Sequence, residues 1–425
     1  MRIAYLHQYF TTPGMSGGTR SYELARRMVR DGHEVHMVTT DRTAETGGWR
    51  TTTEAGITVH WLGVPYRNDM GHAARMAAFL QFAVRAIPRT RQIRADLVFA
   101  TSTPLTIAIP AVGAITGTRT PLVFEVRDLW PEVPIALGAL KNPAARYLAR
   151  RLEAFAYRNA TRMVALSPGM RHGIESSGHP HPPVTVVPNA ADLELFADAD
   201  ADGRALRARL PWLGDRPLVA YLGTVGRANG MEHLVRLARA VGDRDAGICF
   251  AVVGEGGRYA ATRALAEELG VYGRNFFMLP AVAKRDVPAY FGASTMVASF
   301  LEQIPELQSS NPNKLFDGLA AARPIVMNYG GWQADLVRDH EAGLVLTNDY
   351  ALDAENLVDR LRDVDWLRVA GGRALALARE QFDRDLLHRR LADVLDAAHA
   401  EGRVTRRELR RRQTADQEAP PSEVR

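Results

Sequence analysis

The residues best suited to chemistry lie in four short segments. The richest is Glu306-Leu307-Gln308-Ser309-Ser310-Asn311-Pro312-Asn313-Lys314-Leu315-Phe316-Asp317-Gly318. Asn311 is a favourable helix N-cap and Pro312 a favourable first helical residue. On that reading Lys314 falls in the first helical turn, where a cation opposes the helix dipole; the placement makes sense if an anion also binds there. Asp317 lies three residues on and shares the face of Lys314. One cation for phosphate and one carboxylate for vicinal hydroxyls is what a nucleotide needs. The only lysines among 53 basic residues are Lys141, Lys284 and Lys314. That scarcity favours a special use for the compact ammonium at 314, which arginine's planar fork does not reproduce.

The other three segments each follow an apolar run. Met15-Ser16-Gly17-Gly18-Thr19-Arg20 offers paired glycines, Gly17 and Gly18, and free N–H groups at a helix start, a combination that suits a phosphate. Glu125-Val126-Arg127-Asp128-Leu129-Trp130-Pro131-Glu132 places charge just past a strand. There Arg127 is a candidate anion holder and Asp128 a candidate proton acceptor for an incoming hydroxyl. Gly223-Thr224-Val225-Gly226-Arg227 repeats the strand-turn-helix arrangement later in the chain, with Arg227 as a fixed positive charge. The turn Gly254-Glu255-Gly256-Gly257 reads as mainly structural.

Short apolar runs alternate with helical patterns, which predicts parallel α/β sheets. In the first half the runs predict strands near Ile3–Leu6, Val35–Thr39, Thr58–Leu62, Leu97–Ala100, Leu122–Val126, Met163–Leu166 and Thr185–Val187. A helix around Ser21–Arg30 presents Leu24, Ala25, Met28 and Val29 on one face, and Gly32 terminates it. A second series comprises Leu218–Leu222, Ile248–Val253, Phe276–Leu279, Met296–Phe300, Ile325–Met327 and Leu344–Leu346. The polar, Ala- and Asp-rich stretch from 197 to 216 reads as the approach to a linker. The expected organisation is residues 1–190 as one Rossmann-like domain and 217–382 as a second. A C-terminal helix, 383–412, packs back across the domains, and 413–425 forms a disordered tail. Ligands bind beyond the carboxyl ends of strands in such sheets, so two sheets imply a cleft between them.

Composition narrows the class. Of 425 residues, 46% are hydrophobic and 24% charged, which excludes wholesale disorder. The lone Cys249 excludes an internal disulfide and a thiolate-cluster metal site. The Asp198, Asp200 and Asp202 run reads as solvated, and His7, His33, His36 and His60 show no metal-ligand spacing. A net charge of +5 is too small to imply nucleic-acid binding, and the arginines from Arg403 to Arg412 read as a solvated helix end. No apolar run approaches the ~20 residues that cross a bilayer.

These segments together resemble the retaining glycosyltransferases of family 4, which have the two-domain GT-B fold. The opening "YLHQYFTTPGMSGGTRSYELARRMVRDGHEVHMVTT" is similar to the WbuB-like subgroup. "EVRDLWPE", "VVPNAADLELF", "YLGTVG" and "SNPNKLFDGLAAARPIV" follow in the family's order over about residues 1–400. The resemblance implies sugar transfer, with retention and without a metal, from a nucleotide-sugar, UDP-linked by analogy, to an acceptor hydroxyl. The nucleotide-sugar is a substrate, and no cofactor is implied. Asp317 matches the second acidic residue of the family's Glu-x7-Glu motif, the ribose ligand. Ser309 stands where the first glutamate falls, so Glu306 or the 309–311 backbone takes its place. Thr224 and Asn229 stand where relatives carry arginine and lysine, leaving Lys314 and Arg227 to face the phosphates. Gly17, Gly18, Asn189, Gly223, Asn313 and Leu315 complete the implied donor site. Arg127 and Asp128 stand where many relatives have a histidine. The implied acceptor is a polyprenyl-diphosphate-linked sugar of surface polysaccharide assembly, at the inner face of the plasma membrane. Arg75–Arg94 is the membrane-facing candidate, with Met76, Phe79, Leu80, Phe82, Ala83 and Ile87 as its apolar side. A secondary-metabolite acceptor, a nucleotide-sugar 2-epimerase of the same fold and an arginine-tailed nucleic-acid or membrane binder are the competing readings.

Overall fold

The computed structural model describes residues 1–44, 47–65 and 70–402. Two sheets form. The first contains β1 (Arg2–Leu6), β2 (Glu34–Asp41), β3 (Trp49–Glu54), β4 (Ile57–Gly63), β5 (Leu97–Thr101), β6 (Leu122–Val126), β7 (Arg162–Ala165) and β8 (Val184–Val186), in the order β3-β4-β2-β1-β5-β6-β7-β8. The second contains β9 (Leu218–Leu222), β10 (Cys249–Val253), β11 (Phe276–Leu279), β12 (Met296–Ser299), β13 (Ile325–Met327) and β14 (Gly343–Val345), in the order β11-β10-β9-β12-β13-β14. Counted from its own first strand, that order is 3-2-1-4-5-6, the doubly wound arrangement that creates a crevice where the strand order reverses. All pairings are parallel except β3 with β4. Central strands such as β5, β6, β9 and β10 are buried along their whole length, as strands covered on both faces must be.

The structure departs from the sequence reading at several places. β3 was not expected. Its sequence, Trp-Arg-Thr-Thr-Thr-Glu, lacks an apolar run because it is an edge strand with exposed residues, held by a hairpin to β4. The stretch read as linker contains a helix, Ala199–Ala208, packed against the helix Val287–Ala293 of the second lobe. Small residues permit the contact: a Cβ on Gly203 would lie 2.1 Å from the Gly292 carbonyl carbon. Asp200 and Asp202 lie in its first turn, where acidic residues suit the dipole. The second lobe therefore begins before residue 217.

After the helix Val364–Gln381 the chain crosses back. Ala191 N–H donates to Phe382 O at 2.8 Å, and the helix Arg384–Gly402 packs its Leu387, Leu391, Val394 and Leu395 into the core beneath the first sheet. Arg27 binds Asp385 at 2.5 Å, His388 reaches Asp31 at 2.5 Å, and Arg162 pairs with Glu401. The basic stripe from Arg403 to Arg412 and the 413–425 tail lie outside the described residues. Among the described residues no helix is long and apolar enough to cross a membrane.

The candidate membrane helix, His72–Ile93, splits its apolar residues. Phe82 and Ala83 are fully buried in the lobe, so they cannot face a membrane. Met76, Leu80 and Val84, spaced by four, are its exposed large apolar residues among those described.

Candidate active site

Each of the four chemical segments lies at the carboxyl end of a strand or at the start of the helix beyond it. The glycine segment of the first lobe meets the Asn313 segment, and the Gly223 turn lies against Lys314. From the first lobe comes the loop after β1, closed by Thr11 Oγ1 donating to Gly18 O at 2.9 Å. Gly17 sits at φ +128°, a conformation L side chains rarely adopt. Across the cleft is the helix Asn313–Ala320. A Cβ on Gly18 would lie 2.8 Å from Asn313 Nδ2, so the two lobes touch at this point.

The helix starts later than expected, which corrects the cap assignment. Pro312 is the capping residue, with extended backbone, and Asn313 is the first helical one. Asn311 does not cap. Its Nδ2 donates to Leu166 O in the first lobe, and its Oδ1 accepts from Gln333 Nε2 at 2.8 Å. Asn189 Nδ2 donates to Asn311 O at 2.5 Å, and Ser167 Oγ donates to Ser309 O at 2.7 Å. Asn189, Ser309 and Asn311 thus join the lobes. Ser309 is tight against the first lobe: a Cβ on Gly169 would meet its Oγ at 2.6 Å.

Lys314 remains in the first turn and is 8% exposed. Its Nζ stands 4.8 Å over the Tyr221 ring. A Cβ on Gly223, at φ +146°, would approach Lys314 Cε to 3.5 Å. Among the described residues Lys314 has no hydrogen-bonded or ion-paired carboxylate, and burial lowers its pKa to about 8, against the attraction of Asp317. Asp317 is 7% exposed, and its oxygens belong to another lysine: Lys284 Nζ donates to both at 2.6 Å. Lys314 and Asp317, expected to share a face and serve a phosphate and a diol separately, are not paired with each other; Lys284 holds Asp317, leaving the Lys314 charge for something else. Leu315 is fully buried in the core, so its side chain cannot touch a ligand; its backbone N–H lies in the first turn. Gly223, Thr224, Arg227 and Glu306 are exposed, and Arg227 and Glu306 make no ion pair among the described residues.

The Gly254 turn buttresses this lobe. A Cβ on Gly254 would fall 1.8 Å from Gly223 O, and one on Gly256 2.4 Å from Val225 O. Backbone cannot yield there as a flexible side chain can. Gly254→Ala is expected to push the Gly223 turn away from Lys314 and weaken the binding of a phosphate ligand there about tenfold. Calorimetric titration checks this; unchanged affinity would show the turn to be irrelevant.

The first-lobe side is built on β6. Asp128 accepts from Thr103 Oγ1 at 2.6 Å, and burial raises its pKa against that bond and the Arg127 charge. Arg127 Nη1 lies 3.2 Å from His7 Nε2. His7 has its pKa pushed well down, by burial first and then by Arg127, so the imidazole is neutral and accepts from the guanidinium. Arg20 closes the glycine segment and carries a structural role absent from the sequence reading. It opens the helix Arg20–Arg30 and is 4% exposed. It donates to Glu125 Oε1 at 2.7 Å, to Val187 O at 2.9 Å and to Pro188 O. Thr101 Oγ1 completes the shell at 2.5 Å from Glu125 Oε2. The signal that singled out Lys314, a cation in a first helical turn, was present at Arg20 too.

Residues 17–190 match the model of the glycosyl transferase 4-like domain, and 216–364 match that of glycosyl transferases group 1. Between them the two models cover more than half of the chain. The chain belongs to the family 4 glycosyltransferases. Among curated relatives, WcaI of Escherichia coli K12, whose name assigns it to colanic acid biosynthesis as a glycosyl transferase, is 24% identical over 286 residues. That match covers 63% of this chain and 69% of WcaI. The D-inositol 3-phosphate glycosyltransferase of Nocardia farcinica is 30% identical over 271 residues, covering 61% of this chain and 58% of that one. Sucrose-phosphate synthase from Thermosynechococcus elongatus superposes with a TM-score of 0.75 at 16% identity, over 94% of this chain and 99% of the other. HepE of Anabaena, solved with UDP and glucose, gives 0.71 at 18% identity, over 93% and 99%. This glycosyltransferase therefore has the GT-B architecture, two Rossmann-like lobes facing a cleft.

Proposed function

We propose that this glycosyltransferase moves a sugar, with retention of configuration, from a UDP-sugar to an acceptor hydroxyl in the assembly of a cell-surface glycoconjugate. The observation that carries the reading is Lys314: a buried ammonium with no carboxylate bound to it among the described residues, at a helix start beside Gly223 and across from Gly18. Such a charge suits a diphosphate, aided by the free N–H groups of the first turn. In the reaction, the bond from the anomeric carbon to the phosphate oxygen breaks and the acceptor oxygen takes its place. The acceptor's proton passes to the departing phosphate oxygen. Negative charge grows on the diphosphate, where Lys314 stabilises it. Asp128, on the first lobe, orients the acceptor hydroxyl, and Arg127 offers an anion site beside it. Contact between Gly18 and Asn313 excludes water and limits donor hydrolysis.

The UDP assignment draws on HepE, solved with UDP and with UDP-glucose. The surface role draws on WcaI. A lipid-diphosphate acceptor fits the exposed Met76, Leu80 and Val84 on a helix that follows the carboxyl end of β4, on the cleft side of the first lobe. The test is a panel of nucleotide-sugars offered to the purified chain without acceptor. UDP-sugars are expected to bind and to release UDP slowly. Epimerised sugar with no free UDP, or no binding across the panel, would overturn the assignment.

A further inference from the structure

Two of the chain's three lysines reach the cleft, and they do different things. Lys314 faces Tyr221 and Gly223. Lys284, also 8% exposed, turns the other way, with Nζ 2.6 Å from each oxygen of Asp317 and 5.5 Å from the centre of the Phe196 ring. Its own backbone is fastened to the first lobe. Lys284 N–H donates to Met15 O at 3.2 Å, and Arg285 N–H to Pro13 O at 3.4 Å. Those carbonyls belong to the loop that carries Gly17 and Gly18. Lys284 therefore ties three things together: the carboxylate of the second lobe, the glycine loop of the first, and a dry aromatic surface.

We infer that Lys284 is a positioning residue that makes the site selective for ribonucleotide donors over 2′-deoxyribonucleotide donors. The inference rests on the nucleotide-sugar reading above and extends it to a residue that reading leaves unused. A carboxylate offers about four lone-pair sites. An ammonium that engages both oxygens fixes the carboxylate's rotation and leaves acceptor capacity on each oxygen for a vicinal diol. A site arranged to hydrogen-bond a hydroxyl penalises the analogue that lacks it, because a buried acceptor is then left unsatisfied. Without the clamp, Asp317 turns freely and accepts one hydroxyl nearly as well as two. Lys284 touches the sugar only through Asp317, so its removal should change the preference between nucleotides and leave the diphosphate contact intact.

The experiment uses the full chain and equilibrium binding of three probes: UDP, 2′-deoxy-UDP and inorganic pyrophosphate. Wild type is expected to favour UDP over 2′-deoxy-UDP by about tenfold or more. Lys284→Met should weaken UDP about tenfold, leave 2′-deoxy-UDP and pyrophosphate within about twofold, and bring the ratio near one. Lys284→Arg keeps the charge and should retain part of the preference. Lys284→Gln keeps a donor and similar bulk, and gives the same reading should the methionine variant fold poorly. A merely structural role would weaken UDP and 2′-deoxy-UDP alike, which would overturn the inference, as would UDP binding that is unchanged or tighter in the variants. Preserved discrimination in Lys284→Met overturns this inference alone. Failure of wild type to bind UDP overturns the nucleotide-sugar reading together with it.

Discussion

Lys314→Met is expected to lower kcat/KM for sugar transfer by about a hundred- to a thousandfold while making the folded protein more stable. The two effects have one cause. The ammonium is buried against Tyr221 with no carboxylate bound to it among the described residues, and its pKa falls from 10.5 to about 8 because charge is costly there. That depression corresponds to about 3 kcal/mol at ~1.4 kcal/mol per pH decade. Methionine fills similar space without the charge, so part of that cost is recovered. Loss of one preorganised donor to a developing anion costs about 3–4 kcal/mol of transition-state stabilisation. The sign of the pH dependence follows. The unfolded chain keeps this proton up to about 10.5 and the folded chain releases it near 8, so wild-type stability rises between those values. The methionine variant should lack that rise. Donor binding by wild type should instead weaken as pH climbs above about 8, where the free site loses its charge. Thermal melts and calorimetry across pH 7 to about 10 check both halves. A variant that binds donor normally, or that is less stable at neutral pH, would contradict the argument.

Arg20→Met is expected to destabilise the protein by about 3–5 kcal/mol, the typical effect of stripping one partner from a buried ion pair. Glu125 is fully buried and Arg20 is 4% exposed. Burial alone would raise the Glu125 pKa; the charge and hydrogen bonds of Arg20 hold it below the usual carboxylate value. In the variant the carboxylate keeps the Thr101 hydrogen bond and the charge of Arg127 but loses its ion-pair partner, and the carbonyls of Val187 and Pro188 lose a donor. The damage reaches the cleft, because the next residue, Asn189, holds Asn311. Adding Glu125→Gln to Arg20→Met should recover part of the loss, since an uncompensated charge costs more than an amide. In wild type this contribution is present above the unfolded glutamate pKa and fades as pH falls through the lower folded value. A single variant that melts within a few degrees of wild type would show the pair to be dispensable.

Much of the sheet framework was legible because fully buried parallel strands are written as continuous apolar runs, as in Leu97–Thr101 and Leu218–Leu222. The edge strand β3 was not, since its three consecutive threonines carry no such run. The helix Ala199–Ala208 looked like linker because its packing depends on the absence of side chains at Gly203 and Gly292, and a missing atom leaves little periodic trace. The site's parts were found by type and position: glycine turns after strands, and a lysine in a first turn. Their pairing was not. Asp317 lies three residues from Lys314 in sequence but binds Lys284, 33 residues away, because the segment after β11 brings Lys284 over the helix start. Asn311 carried a good capping side chain, yet the contact between lobes claims it.

The central claim is that a donor's diphosphate is held between the glycine loop of the first lobe and the helix that begins at Asn313. The most direct measurement compares UDP with uridine, binding each to wild type and to Lys314→Met. The margin between them reports the diphosphate alone. It should exceed about a hundredfold in wild type and collapse to a few-fold in the variant, with uridine itself unchanged. A margin of the same size in both proteins would place the diphosphate elsewhere.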